Sequence, residues 1–237
     1  MSDSRPLEPA AAFGRLGRMK VGDTDLKGVL DEVAHLAKRT IPGADEVSVT
    51  LVDKEAHTAT YTGQLALALD QEQYDKGSGP CLDAAASASV MSVPDMVAEN
   101  RWPEWAARAV DIGARSSLSI GLPIHEQVTG ALNIYAVRPD AFDSDAVILS
   151  QTFAGYAAVA LANAHLYDAQ ATLAQQMQAA MQSRAVIEQA KGIIMGSRHC
   201  TADEAFTILI RLSQGTNRKL REVAAALVAS ALADGGS

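Results

Sequence analysis

From Leu26 onward the chain shows its first sustained pattern. Leu26, Val29, Leu30, Val33, Leu36 and Ala37 recur at steps of three and four, one apolar stripe on a helix that ends before Pro42 and Gly43. The period then changes to two. Residues 47–52 (VSVTLV) alternate and are rich in β-branched types, and 58–62 (TATYT) follow a polar turn at Asp53 and Lys54, which predicts a hairpin. A polar, helix-like piece leads to the turn cluster Gly77-Ser-Gly-Pro80, after which Cys81 opens a small-residue segment predicted as a short helix. Residues 90–93 predict a strand, 100–110 a helix with Pro103 in its first turn, and 116–124 and 130–137 two antiparallel strands. Clustered strands among helices make an α+β order: an antiparallel sheet with flanking helices. Residues 1–24 mix Pro, Ala, Gly and charge without a sustained period and read as a flexible or loosely helical arm before a first domain at 25–165.

Helical character is then nearly continuous over 143–196, too long for one ordinary globular helix. Leu166, Leu173, Ala180, Ile187 and Ile194 repeat every seven residues, the period of a coiled-coil seam, with Ala169, Gln176, Ser183 and Ala190 at the companion positions. Two readings stay open: weak pairing with a second chain, or a helix packed on its own domain. Beyond it, Thr201-Ala-Asp-Glu204 fits a capping box that starts a second helix. Ala205, Phe206, Leu209 and Leu212 take core spacing there, and the helix is predicted to stop at Ser213-Gln-Gly215. Asn217 is expected to cap a third helix, with Leu220, Val223, Ala224, Leu227 and Val228 on its buried face. A compact three-helix bundle joined through the long helix follows for 166–232, with a disordered tail at 233–237.

Composition permits a sizeable core plus a small second module in 237 residues. The polar N-terminus lacks the apolar stretch of a signal peptide, and no apolar run approaches the roughly 20 residues of a spanning helix, so a cytoplasmic protein is expected. Cys81 and Cys200 are the only cysteines, and neither they nor the five histidines have metal-ligand spacing, so no metal or other cofactor is expected. The net charge of −8 hides an island. Residues 184–222 hold seven basic against four acidic side chains, a local +3 in a chain that is otherwise −11. Arg184, Lys191 and Arg198 stand seven apart along one line of the long helix. Arg218, Lys219 and Arg221 crowd the start of the third helix, where the macrodipole disfavours cations unless an anion binds. Either a solvated basic face or a nucleic-acid contact accounts for these charges.

The 183–195 run (SRAVIEQAKGIIM), Thr201 to Phe206 (TADEAF), Leu212-Ser213, Asn217 and 219–224 (KLREVA) together resemble the ANTAR signature over about 173–230. The resemblance implies a transcription antiterminator that binds paired RNA hairpins in nascent leader transcripts. It places RNA contacts at Arg184, Gln189, Lys191, Arg198, Arg211, Ser213, Asn217, Arg218, Lys219 and Arg221, the cations on phosphates and Asn217 and Ser213 on unpaired base edges. Phe206 is expected in the core rather than stacked on a base.

Residues 26–165 resemble the GAF domains that precede ANTAR in actinobacterial regulators, through Gly79-Pro-Cys-Leu-Asp83, Asp95, Arg101-Trp-Pro103, Gly113-Ala-Arg-Ser116, Gly130-Ala-Leu-Asn133 and Ala141-Phe142. This implies a sensory domain that takes a small ligand between sheet and covering helices, with Cys81, Asp95, Trp102 and Ser116 as candidate lining residues. Cys81, near a helix start, is also a candidate for a reactive thiol. No phosphate-binding glycine loop or GxSxG is present and no enzyme is expected. The competing readings are a DNA-binding regulator, and a redox or small-ligand sensor acting through protein partners. A homodimer is the expected state, since two copies engaging two hairpins gain from effective concentration.

Overall fold

The computed structural model describes residues 6–19, 25–125 and 128–234; of the arm expected at 1–24 and the tail expected at 233–237, residues 1–5, 20–24 and 235–237 lie outside these, while 233 and 234 belong to the last helix. The chain divides into two compact units, Met1–Asp168 and Ala169–Ser237.

In the first unit the elements run α1 (Pro9–Gly17), α2 (Leu26–Thr40), β1 (Glu46–Val52), β2 (Ala56–Tyr61), α3 (Gln64–Lys76), α4 (Pro80–Ser87), β3 (Val90–Val93), α5 (Pro103–Ile112), β4 (Ser116–His125) and β5 (Val128–Ala136). The first part of α6 (Ser144–Arg198) completes it. Local chemistry explains several boundaries. The Asp25 carboxylate accepts from the Gly28 amide at 2.8 Å to start α2. Gly77 adopts φ 64° to end α3, a conformation that costs other residues a Cβ clash. Prolines stand in the first turns of α4 and α5, where a missing N–H costs nothing. The stretch 9–17, within that arm, is a helix: its Ala12 and Leu16 are buried in the core and Phe13 stacks on Tyr156 at 4.9 Å. Those few apolar contacts order a segment too short to show a period.

The five strands pair antiparallel in the order β2-β1-β5-β4-β3. Alternation gives the sheet two faces. One carries Val47, Val49, Leu118, Ile120, Leu132 and Ile134 into a core with α2 and α6, including Leu36, Phe153 and Leu161. The other carries Ser48, Thr50, Ser117, Ser119, Asn133 and Tyr135, and it too is buried, beneath α3, α4 and α5. Gly121 lets α4 lie close on β4, since a Cβ there would stand 2.3 Å from the Ala84 carbonyl oxygen.

The second unit contains the end of α6, α7 (Ala202–Thr216) and α8 (Leu220–Asp234), closed around Ala190, Ile194, Ala205, Leu209 and Ala224. The capping box forms: the Thr201 hydroxyl accepts from the Glu204 amide and the Glu204 carboxylate accepts from the Thr201 amide at 2.8 Å. Three expectations change here. Helix α7 does not stop at Gly215 but runs through Thr216, because Asn217 at φ 50° closes it, its amide and that of Arg218 turning back to the Ser213 carbonyl. Asn217 therefore ends α7 instead of capping α8, which starts from the Lys219 carbonyl accepting the Glu222 amide at 2.9 Å. The expected seam also shortens: Ile194 is buried and Ile187 partly so inside this bundle, while Leu166 and Leu173 stay exposed.

Helix α6 corrects a further reading. Its length and composition do suffice to cross a membrane, although only 39% of the apolar stretch is buried. The cause is alanine-rich sequence whose solvent side is uncharged as well.

Candidate functional site

Two places gather chemistry. The first is the buried polar sheet face. Strand register sets Ser48, Asn133 and Ser119 in one row across β1, β5 and β4, and Thr58 and Thr50 in a row beside them. Helix α3 lowers Asp70 onto the rows. Its carboxylate accepts from the Tyr135 hydroxyl at 2.6 Å, the Thr58 hydroxyl at 2.8 Å and the Asn133 amide at 3.3 Å. Asn133 also donates to Thr50 at 2.9 Å and Ser48 at 3.2 Å, and the Tyr74 hydroxyl bonds Thr50 at 2.8 Å and Thr58 at 3.0 Å. Gln73 ties the face to α4, its side-chain oxygen accepting from the Cys81 amide at 2.8 Å and its nitrogen donating to Tyr135. Burial raises the Asp70 carboxyl to about 6, the hydrogen bonds it accepts opposing the shift only in part. Among the described residues the hydroxyls of Ser117 and Ser119 and the Asn133 side-chain oxygen remain buried without a partner.

Of the four residues proposed to line a pocket, Cys81 alone joins this network, its sulfur 3.4 Å from the Thr50 hydroxyl. As a candidate reactive thiol, Cys81 does stand in the first turn of α4, but burial pushes its pKa up instead of lowering it, with Asp70 adding to the rise. Trp102 packs in a neighbouring cluster with Trp105 and Tyr135 and donates to Asp83 at 3.0 Å, under the Arg101 guanidinium. Ser116 donates to the Arg138 carbonyl at 2.8 Å. Asp95 pairs with Arg115 at 3.4 Å and accepts from the Val97 amide. These three hold loops and strand ends.

Asp70, Gln73, Tyr74, Asn133 and Tyr135 escaped the sequence reading. A polar residue at every second strand position ordinarily marks solvent. The available signal was that two strands, 47–52 and 116–122, both carry hydroxyls at those positions with no charge among them.

The second place is the charged surface of the three-helix unit. Arg198 and Arg211 line one cleft of about 540 Å³ with Cys200 and Thr207, alongside Asp203 and Glu204. Arg218, Lys219 and Arg221 are exposed around the α7–α8 turn, and Arg184 and Gln189 are exposed on α6. Among the described residues only Lys191 of the proposed contacts is ion-paired, at 3.0 Å to Glu188. It is also the least exposed cation of the set, its side chain 17% exposed and its ammonium 5.9 Å from the Phe206 ring. Phe206 is not a core residue: it is 38% exposed, because α7 turns Ala205 and Leu209 inward instead. Ser213 donates its hydroxyl proton to the Arg218 carbonyl at 2.5 Å and so braces the turn. Among the described residues no group of three or more His, Cys, Asp or Glu could hold a metal ion.

The family model described as GAF domain matches residues 23–162, and that described as ANTAR domain matches 175–228. No curated protein matches the chain. Among solved structures, a phycoerythrobilin-bound GAF domain from a cyanobacterial phytochrome is similar at 14% identity, with 68% of this chain and 97% of that one covered and a TM-score of 0.54. Free methionine-R-sulfoxide reductase from Neisseria meningitidis, in complex with its substrate, is similar at 17% identity, covering 67% and 88% with a TM-score of 0.51. The GAF domain of a phosphoenolpyruvate-protein phosphotransferase from Coxiella burnetii is similar at 17%, covering 71% and 99%, again with a TM-score of 0.51. At these identities the likeness is one of fold.

Proposed function

The chain belongs to the GAF domain family and carries an ANTAR domain at 175–228, and from that premise we propose that it binds paired hairpins in nascent leader RNA and prevents transcription termination. ANTAR domains are RNA-binding antitermination modules and GAF domains are sensory ones, a regulatory pairing. The observation that carries the reading is the set of exposed cations that form no ion pair among the described residues, Arg198 and Arg211 in one cleft and Arg218, Lys219 and Arg221 around the α7–α8 turn. An exposed cation with no ion pair to break gives its full charge to a phosphate. Arg184, Gln189 and Asn217 extend this surface, while Lys191 trades Glu188 for RNA. Ser213 acts by shaping the turn that presents Arg218.

The alternative of a DNA-reading helix is disfavoured by α8, which beyond Glu222 is almost entirely Ala, Leu and Val. The sensory role falls to the polar sheet face, where a ligand or a packing change moves α3 and α4. Its consequence reaches the RNA through α6, acting on two paired copies of the chain in the cytoplasm, where nascent transcripts are made.

Binding of the purified full chain to a tandem-hairpin RNA, beside the same sequence as duplex DNA, tests this across a salt series. Selective RNA binding weakened by Arg198→Ala and Arg218→Ala, each with a smaller salt slope, is the expected result. Equal affinity for DNA, or affinity untouched by both substitutions, overturns it.

A further inference from the structure

The end of α2 opens a cleft of about 640 Å³ in the GAF domain, on the side of the sheet opposite the polar network. His35, Lys38, Arg39 and Thr40 line it from the last turns of the helix, and Pro6 bounds it from the segment before α1. No Asp or Glu is among its lining residues. A further cation reaches the same place from beyond β5: a Cβ on Gly43, in the turn that follows α2, would stand 3.3 Å from an Arg138 guanidinium nitrogen. The volume is that of a small-molecule site.

Lys38 and Arg39 in a last helical turn have an ordinary cause, since the macrodipole favours cations there. That cause does not extend to Arg138, which comes from another element, or to His35, which stands a turn earlier. The His35 Nδ1 donates to the Asp31 carbonyl at 2.8 Å, which leaves Nε2 for a ligand. Thr40 supplies an independent sign. It is 5% exposed and lines the cleft, yet its hydroxyl has no hydrogen-bond partner among the described residues. A threonine inside a helix commonly returns its hydroxyl to the carbonyl four residues back, as Thr152, Thr207 and Thr216 do in this chain. Thr40 does not. A buried hydroxyl left without a partner destabilises the fold, so packing alone is served better by valine. A free hydroxyl among cations, with no carboxylate lining the cleft, is the chemistry of an oxyanion site. The carbonyl end of α2 opposes an anion, so side chains have to hold it. Donors from separate elements suit the tetrahedral oxygens of a phosphate better than a planar carboxylate.

We propose that this cleft binds the phosphate group of a small soluble molecule through Lys38, His35 and the Thr40 hydroxyl, with Arg138 beside them. The site lies in the first unit and is independent of the RNA reading. It also has a route to the rest of the domain. The Arg39 carbonyl accepts from the Leu7 amide at 2.9 Å, and two residues later α1 begins, with Phe13 stacked on Tyr156. A ligand held between Pro6 and the end of α2 fastens α1 as well, which gives the sensory domain an input separate from the polar sheet face.

The test titrates the full chain with inorganic phosphate and with ribose 5-phosphate, followed by calorimetry and by amide chemical shifts. Binding is expected with shifts centred on residues 35–44, and slower hydrogen exchange in α1 accompanies it. Lys38→Ala weakens it about tenfold. Thr40→Val weakens it about fivefold while raising the melting temperature of the unliganded chain, and Thr40→Ser restores binding. A merely structural threonine does not give those opposite signs. Arg218→Ala leaves this binding unchanged, which separates the cleft from phosphate held by the exposed cations of the second unit. Phosphatidylglycerol vesicles form a further arm, since a lipid headgroup carries the same group. No binding of either soluble phosphate at millimolar concentration overturns the proposal, and so does vesicle binding alone. Shifts confined to the second unit, or an affinity that neither Lys38→Ala nor Thr40→Val changes, overturn it too. Tandem-hairpin binding on the same samples tests the RNA reading by itself, because a failure at Lys38 leaves that reading standing and a failure to bind RNA leaves this cleft.

Discussion

The GAF sheet and the ANTAR turns both gather polar side chains and treat them in opposite ways. Asp70, Asn133, Tyr135 and Thr50 are withdrawn from water and satisfied mainly by one another. Arg198, Arg211, Arg218 and Arg221 stand in water, none of them ion-paired among the described residues. A group of the first kind trades hydration for fixed partners, so changing one is felt as stability and as a shifted pKa. A group of the second kind contributes little to folding and keeps its charge for a ligand. The contrast is therefore between a region whose polar groups are held by the fold and a region whose charges are left to solvent.

The largest expected effect is on the buried side. Because burial raises Asp70 from 3.8 to about 6, the folded domain holds a proton that the unfolded chain has released in this window. The resulting stability is fully present below the ordinary carboxylate range and is lost as pH rises through 6, by about 3 kcal/mol. Denaturant melts at pH 4 to 7.5, followed through Trp102 and Trp105 in the sensory domain, should show wild type losing this much against Asp70→Asn. A difference between the two that stays flat with pH would dissociate Asp70 from any such response.

Next in size is Tyr135→Phe. It removes the 2.6 Å donor to Asp70 and the acceptor for Gln73, and should cost about 2 kcal/mol while moving the pH transition upward. A loss below about 0.5 kcal/mol would mean that other donors replace the hydroxyl and that the network is less tightly specified than its distances indicate.

On the exposed side the effects are smaller and leave the melts alone. Arg218→Ala should weaken tandem-hairpin binding by about 1 kcal/mol, roughly fivefold, and lower the salt slope by about one ion. Asn217→Gly keeps the positive φ that closes α7, so stability should change by no more than about 0.5 kcal/mol. Its effect on RNA then isolates the amide. A selective loss of affinity supports base contact, and unchanged affinity confines Asn217 to ending the helix.

Much of the fold was legible without coordinates because the signals are local. The 3-and-4 step of Val29, Leu30 and Val33, the alternation of 47–52, the Thr201–Glu204 box and the seven basic residues of 184–222 each depend on neighbours within a turn or two. Backbone geometry and helix-end chemistry act over that range, so sequence spacing determined the strands, the helices and where positive charge collects. What covers a face is set by elements far away in the chain. Hydroxyls at 48, 50, 117 and 119 alternate as solvent positions do, and only the packing of α3, α4 and α5 over them makes them a buried network and pushes up the Cys81 thiol. Ile187 and Ile194 keep a perfect seven-residue step, yet α7 and α8 reach them first, while Leu166 and Leu173 on the same step stay exposed. Periodicity says which residues share a side; long-range burial alone decides whether that side meets water, its own core or a partner.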